Sequence, residues 1–181
     1  MEHKKILLGH GSGGRLSHEL VKELFVPNFS NPALNAMDDS AELGPVAGRL
    51  AFTTDSYVVT PLEFPGADIG RLAVCGTVND LAMKGSVPKW ISCSFIIEEG
   101  LEIKLLERII ASMKKAAEEA GVLIVTGDTK VVERGKADKI FINTSGIGII
   151  PEGVNISSAY ARAGDVIIVS GQLAEHGITV M

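Results

Sequence analysis

The sequence predicts an α+β fold, a four-stranded sheet with helices on one face, and three observations carry that expectation. Runs rich in β-branched and aromatic residues fall at 50–59, 88–99, 122–132 and 139–150. Segments 67–84 and 102–120 carry apolar residues at helical spacing. Their order is strand, helix, strand, helix, strand, strand, which suits an α+β or an α/β arrangement. Four strands leave edges to be paired, and a dimer would pair them.

The chain opens with a charged head and only Ile6, Leu7 and Leu8 as consecutive large apolar residues. That is far short of a signal-peptide core or a membrane span. GHGSGGRL follows, from Gly9 to Leu16. Gly9, Gly11 and Gly14 match G-x-G-x-x-G, but only Ile6 to Leu8 precede them and no acidic strand end follows at the dinucleotide-binding spacing. Arg15 and Leu16 stand where a P-loop needs Lys and Ser or Thr. Two readings stay open, a flexible lead-in that caps the next helix and a mobile lid whose backbone N–H groups close over phosphates.

Leu16, Leu20, Val21, Leu24 and Phe25 place a helix at 15–25, with Pro27 as its stop. Residues 27–49 have a loop composition and contain the pair Asp38 and Asp39. Strand 50–59 ends before Pro61. Helix 67–84 carries Ile69, Leu72, Ala73, Gly76, Thr77 and Asp80 along one broad stripe. Strand 88–99 follows. In helix 102–120, Ile103, Leu106, Ile109, Ile110, Met113 and Ala117 share a face, and Gly121 serves as C-cap. The last two strands, 122–132 and 139–150, are joined by the polar turn from Glu133 to Asp138. After Pro151 the composition changes, and VIIVSG at 166–171 reads as a strand without neighbours. The expected organisation is a domain over 1–152, then a linker and the start of a second domain over 153–181, cut from a longer parent.

The 181 residues carry a net charge of −5, which gives no basic field for nucleic acid or an anionic membrane. Cys75 and Cys93 lie in apolar runs and read as buried reduced thiols, consistent with a cytoplasmic protein. His3, His10, His18 and His176 have no zinc-ligand spacing.

The aspartates carry more. Thr53 to Val59 and Thr126 to Val132 both read T-x-D-[S/T]-x-V-V, with one carboxylate within or at the end of an apolar strand. Either Asp alone could be a turn-former or a cap. Asp38, Asp39, Asp55, Asp80 and Asp128 nevertheless all sit in apolar or glycine-rich surroundings. A carboxylate near a core costs roughly several kcal/mol unless a cation or donors offset it. Hard oxygen ligands without nearby His or Cys favour Mg²⁺, which binds phosphates with its remaining positions. The expectation is a metal-bound nucleotide. Lys130, two residues beyond Asp128 and on the same strand face, could meet a phosphate or sit idle on the surface. Asn79 and Asp80, near a helix end, could hold a metal or a substrate group, or could be solvated.

Taken together, HGSGG (10–14), DDSA (38–41), TTDSYVV (53–59), GTVNDLAMKG (76–85) and VTGDTKVV (125–132) resemble the HypE family of hydrogenase maturation factors. That family lies within the aminoimidazole ribonucleotide (AIR) synthetase-like superfamily, beside thiamine monophosphate kinase and selenophosphate synthetase. The resemblance implies an N-terminal domain that pairs with its twin into an eight-stranded barrel with ATP near the interface. It implies that Asp39, Asp55, Asp80 and Asp128 hold magnesium and the ATP phosphates, with Asp38 adjacent. His10, Gly11, Ser12, Gly13, Gly14, Asp55, Asn79, Gly127, Asp128 and Thr129 would bind the nucleotide, and Asp80 and Lys130 would stand closest to the chemistry.

The activity so implied is ATP-dependent dehydration of a protein-bound S-carboxamide to a thiocyanate, the source of the cyanide ligands of [NiFe]-hydrogenase. Its partners would be the carbamoyltransferase HypF and the iron-site scaffold HypC/HypD. Two departures qualify this. The sequence ends at Met181 without a terminal Cys, so the fragment alone is expected to dimerise but not to turn over, and LAEHG (173–177) stands where G-D-H-G is expected. A superfamily relative of thiamine monophosphate kinase or selenophosphate synthetase type and a non-catalytic docking module remain the alternatives. No Cys occurs in residues 1–30, which disfavours the selenophosphate synthetase type.

Overall fold

The computed structural model describes residues 3–169 and 171–174. All four expected strands form: β1 (Arg49–Tyr57), β4 (Val87–Glu98), β5 (Leu123–Val132) and β6 (Ile140–Ile150). A two-residue pair, β2 (Glu63–Phe64) and β3 (Ala67–Asp68), makes a small separate sheet. The main sheet runs β1-β6-β4-β5, antiparallel except for the parallel pair β4 and β5. A right-handed crossover is the usual way to join parallel neighbours, and α5 (Ile103–Ala120) supplies the connection here.

Helix α4 (Ile69–Met83) starts at Asp68, whose side chain accepts from the Arg71 N–H, and α5 stops at Gly121 in the left-handed region at φ 66°. Both helices lie on one face of the sheet. Ile69, Ala73, Val74 and Leu81 of α4 are buried, as are Leu106, Ile109, Ile110 and Met113 of α5, against Ile91, Phe95, Ile97, Ile140 and Ile142 of the strands. The buried stripe of α4 is therefore centred on 70, 73, 74, 77 and 81, and Asp80 rides on its flank.

The first helix departs from expectation. Arg15–Leu20 (α1) passes into a π-helical turn, Val21–Phe25, and on into α2, Val26–Phe29, so Pro27 does not stop it. The widened turn, in which the Val26 N–H reaches Val21 O, puts Pro27 in the first turn of α2, where its missing N–H costs no hydrogen bond. A short α3 (Pro32–Asn35) interrupts the expected loop, capped by Asn31, which also ties it to the Ile124 carbonyl of β5.

Residues 166–169 form no strand. Val166, Ile167 and Ile168 are all exposed. Part of the LAEHG segment, residues 175–177, lies outside the described residues. Cys93 is buried, Cys75 is half-buried, and both are free. Among the described residues no helix is long and apolar enough to cross a membrane.

Candidate functional site

The glycine-rich stretch is pinned rather than loose. Ile6 is fully buried and exchanges backbone hydrogen bonds with Leu101 and Gly100, at 2.8 Å each. His10, in a short 3₁₀ turn (Leu8–Gly11), is 2% exposed and accepts the Leu7 N–H on Nδ1 at 2.9 Å. Burial pushes its pKa below the usual value, which favours the neutral ring. Gly11 lies so close to the β5 edge that a Cβ there would stand 2.4 Å from the Val131 nitrogen. Ser12, Gly13 and Gly14 are exposed, so the freedom expected of a lid narrows to those three residues.

Beneath this stretch is a cavity of about 280 Å³. Phe25, Phe29, Leu34, Cys93, Phe95 and Ile124 make its apolar wall, with Phe25 and Phe95 stacked at 5.2 Å. His10, Gly11, Gly13, Gly127, Asp128 and Thr129 line its polar side. Six residues that the sequence nominated for nucleotide binding thus converge on one pocket.

Asp55 and Asp80 share a second location, the groove between β1 and α4. Thr53 Oγ1 donates to Asp80 Oδ2 at 2.9 Å, and the Tyr57 hydroxyl donates to Asp55 Oδ2 at 3.1 Å. Burial raises the Tyr57 pKa, so the phenol remains a donor. Lys84, one turn beyond Asp80, lines a hollow of about 370 Å³ with Thr53 and Asp80. Asn79 is exposed beside them on α4.

These two locations lie at opposite edges of the sheet. Three strand spacings of roughly 4.8 Å separate β1 from β5, about 14 Å in all. Asp55 pairs with Thr144 and through it with Cys93 on the helix-covered face, whereas Asp128 pairs with Ser94 and Lys130 with Ile96 on the other. Asp38 and Asp39 are exposed in the loop before β1, and Asp39 borders a hollow on the open face with Phe52, Trp90 and Thr126. The expected fourfold set Asp39, Asp55, Asp80 and Asp128 is accordingly not gathered within one chain. Among the described residues no group of three or more His, Cys, Asp or Glu is spaced to hold a metal.

Residues 37–150, more than half the chain, match the family described as AIR synthase related protein, N-terminal domain. The chain belongs to that family. Among curated relatives, the carbamoyl dehydratase HypE of Rhodobacter capsulatus is 52% identical over 100% of this chain and 54% of its own length. A crystal structure of the hydrogenase maturation protein HypE in complex with ATP superimposes with a TM-score of 0.93 at 56% identity, covering 96% of this chain and 52% of that one. HypE in a solved HypE–HypF complex superimposes at 0.72 and 52% identity, covering 89% of this chain and 52% of that one. The chain thus spans about half the length of the relatives it matches.

Within this AIR synthase-type domain, Thr53, Tyr57, Thr77 and Lys84 are the neighbours that the sequence did not nominate. Their signal was periodicity: Thr53 and Tyr57 flank Asp55 at the strand period of two, and Thr77 and Lys84 flank Asp80 at helical spacing.

Proposed function

We propose that this chain is the nucleotide-binding, dimer-forming half of a HypE-type carbamoyl dehydratase, acting in hydrogenase maturation in the cytoplasm. The observation that carries the reading is the pocket in which His10, Gly11 and Gly13 close over Gly127, Asp128 and Thr129, with an apolar wall behind them. That wall suits a nucleotide base. The exposed backbone at Ser12 and Gly14, next to the α1 N-terminus, suits phosphates, while the Gly13 N–H donates to Ser17 Oγ at 2.9 Å.

The donor set of the β1–α4 groove also fits magnesium: two carboxylates, each tethered by one oxygen, and no nitrogen or sulfur ligand. Asp55 and Asp80 would hold the ion, which when bound supplies charge neutralisation on phosphate oxygens. Lys130 stabilises charge on the transferring phosphoryl group. The substrate is an S-carboxamide whose amide oxygen is a poor leaving group. Phosphorylation by ATP makes that oxygen leave as phosphate; a carboxylate accepts one amide proton, the departing phosphate carries away the other, and the C≡N bond forms.

Asp80 and Lys130 stand at opposite edges of the sheet in one chain, so the reading requires a second copy. The open sheet face, with Leu50 and Phe52 well exposed, is the surface for that pairing. HypF and the HypC/HypD scaffold are the partners the reading assigns to the whole protein.

The test uses a full-length HypE-type protein carrying this sequence. Asp80→Asn and Lys130→Ala should each abolish ATP hydrolysis with folding intact. Random pairing makes half of the dimers in an equal mixture mixed, each with one intact site, so the mixture should regain about a quarter of the wild-type rate. Unchanged hydrolysis in both single variants refutes the assignment, and an inactive mixture refutes the shared site.

A further inference from the structure

Behind Asp55 runs a line of hydroxyls that neither the nucleotide pocket nor the phosphoryl chemistry uses. Thr144 is fully buried, and its Oγ1 donates to the Ala73 carbonyl of α4 at 3.0 Å. Thr144 and Thr77 hydroxyls lie 2.6 Å apart, Thr77 stands 3.4 Å from the Tyr57 hydroxyl, and Tyr57 donates to Asp55 Oδ2 at 3.1 Å. The line is anchored at its inner end on the backbone of a packed helix. Its outer end is the carboxylate.

Gly76 is shaped to this arrangement. A Cβ at that position would lie 2.2 Å from the Tyr57 hydroxyl oxygen and 3.0 Å from two ring carbons, closer than side chains pack, so only glycine lets the phenol pass. Tyr57 is thereby held by α4, through the close approach at Gly76 and the hydroxyl of Thr77. No hydrogen bond among the described residues reaches the other oxygen, Asp55 Oδ1. A carboxylate tethered by a single oxygen in this way is preorganised to offer the second one to a cation.

We infer that Tyr57 is a positioning residue, fixing the Asp55 carboxylate so that Oδ1 is presented to a divalent cation in the β1–α4 groove. The inference rests on the magnesium reading above. It assigns to Gly76 and Thr77 a supporting role through Tyr57 and gives none of the three a contact with the cation.

The test titrates the chain with Mn²⁺ alone, following the free-ion signal by electron paramagnetic resonance, for the wild type, Asp55→Asn, Tyr57→Phe and Gly76→Ala. Asp55→Asn should lose the site. Tyr57→Phe keeps the ring and removes only the hydroxyl, and it should weaken Mn²⁺ binding tenfold or more. Gly76→Ala retains every hydroxyl but displaces the phenol, and it should do the same. Melting in EDTA separates the two roles, because a merely structural Tyr57 would lower the melting point and leave the affinity of the folded protein unchanged. Wild-type affinity in Tyr57→Phe and Gly76→Ala, with the site lost in Asp55→Asn, overturns the positioning role and leaves the magnesium reading standing. Wild-type affinity in Asp55→Asn, or no binding by the wild type, overturns the magnesium reading and this inference with it.

Discussion

Gly11→Ala tests whether the glycine-rich stretch is docked, because its cost can be worked from contacts. The added Cβ would meet the Val131 backbone nitrogen at 2.4 Å and the Val131 Cβ and Cγ2 at 2.9 Å. Val131 belongs to β5 and cannot retreat without breaking the ladder to β4. The 3₁₀ turn must therefore lift by roughly 1 Å to reach ordinary van der Waals separation. Overpacking of this kind costs about 1–3 kcal/mol, and a chain of this size loses about 2–4 °C of melting temperature per kcal/mol. The lift also moves the N–H groups over the pocket, so nucleotide affinity should fall by about tenfold, the equivalent of about 1.4 kcal/mol. Gly13→Ala is the control. No atom lies within 4 Å of its added Cβ, and only its φ of +76° opposes it, at about 1–2 kcal/mol of backbone strain. Thermal melting and calorimetry with ATP and Mg²⁺ read both variants. If Gly11→Ala melts and binds as the wild type does, the turn is not seated on β5 in solution and the pocket as described does not exist.

Three further outcomes follow from the same structure. Ile109→Ala, at a fully buried position of α5, should destabilise the chain by about 2–5 kcal/mol in urea melts without altering the open sheet face. Phe52→Asp changes a side chain 69% exposed on that open face, so it should leave the fold intact by circular dichroism while light scattering shows loss of the proposed dimer. His10 has a pKa depressed by burial, so the unfolded chain binds its proton more readily than the folded one does. The stability tied to its neutral state is complete above pH 6.5 and is lost as pH falls through the depressed value. His10→Gln should flatten that acid-side slope in a melting series across pH 4 to 8, whatever it does to stability at neutral pH.

The sheet and the two long helices were legible because their signals are local. Alternation in β6, helical spacing in α5 and the Gly121 stop each lie within a few residues of what they specify. Pro27 misled because its effect depends on the π turn before it, and whether that turn forms is decided by how Leu24, Phe25 and Phe29 pack into the core. The loose lid became a docked turn for a related reason. The contacts that seat it, Ile6 against Leu101 and Gly11 against Val131, join residues more than half the chain apart.

The sequence nominated candidate residues but not their arrangement, and a single β-bulge accounts for much of the difference. The pairing of β4 with β5 shifts between Ile91 and Ser92, so that Ile91 faces Ile124 but Ser92 faces Thr126, with Val125 left over. Without that shift, with Val125 paired to Ser92, Asp128 would pair with Phe95, on the same face as Asp55 and one row away. With it, Asp128 pairs with Ser94 and, like Thr126 and Lys130, turns to the open face. The two T-x-D segments that look like repeats in the sequence thus present their carboxylates to opposite sides of one sheet. The slip leaves no mark in composition, and within β5 it shows only as a change of phase, with Ile124 and Val131 both buried at an odd spacing. It also explains why the open face, where the second copy is expected, carries Asp128 and Lys130, while the groove beside α4 carries Asp55 and Asp80. Pairing Val125 opposite Ser92 instead would bring Asp128 opposite Phe95 on the helix-covered face, where the buried Phe95 and Ile97 leave no room for a charge. The bulge is therefore a requirement of the fold as well as of the site.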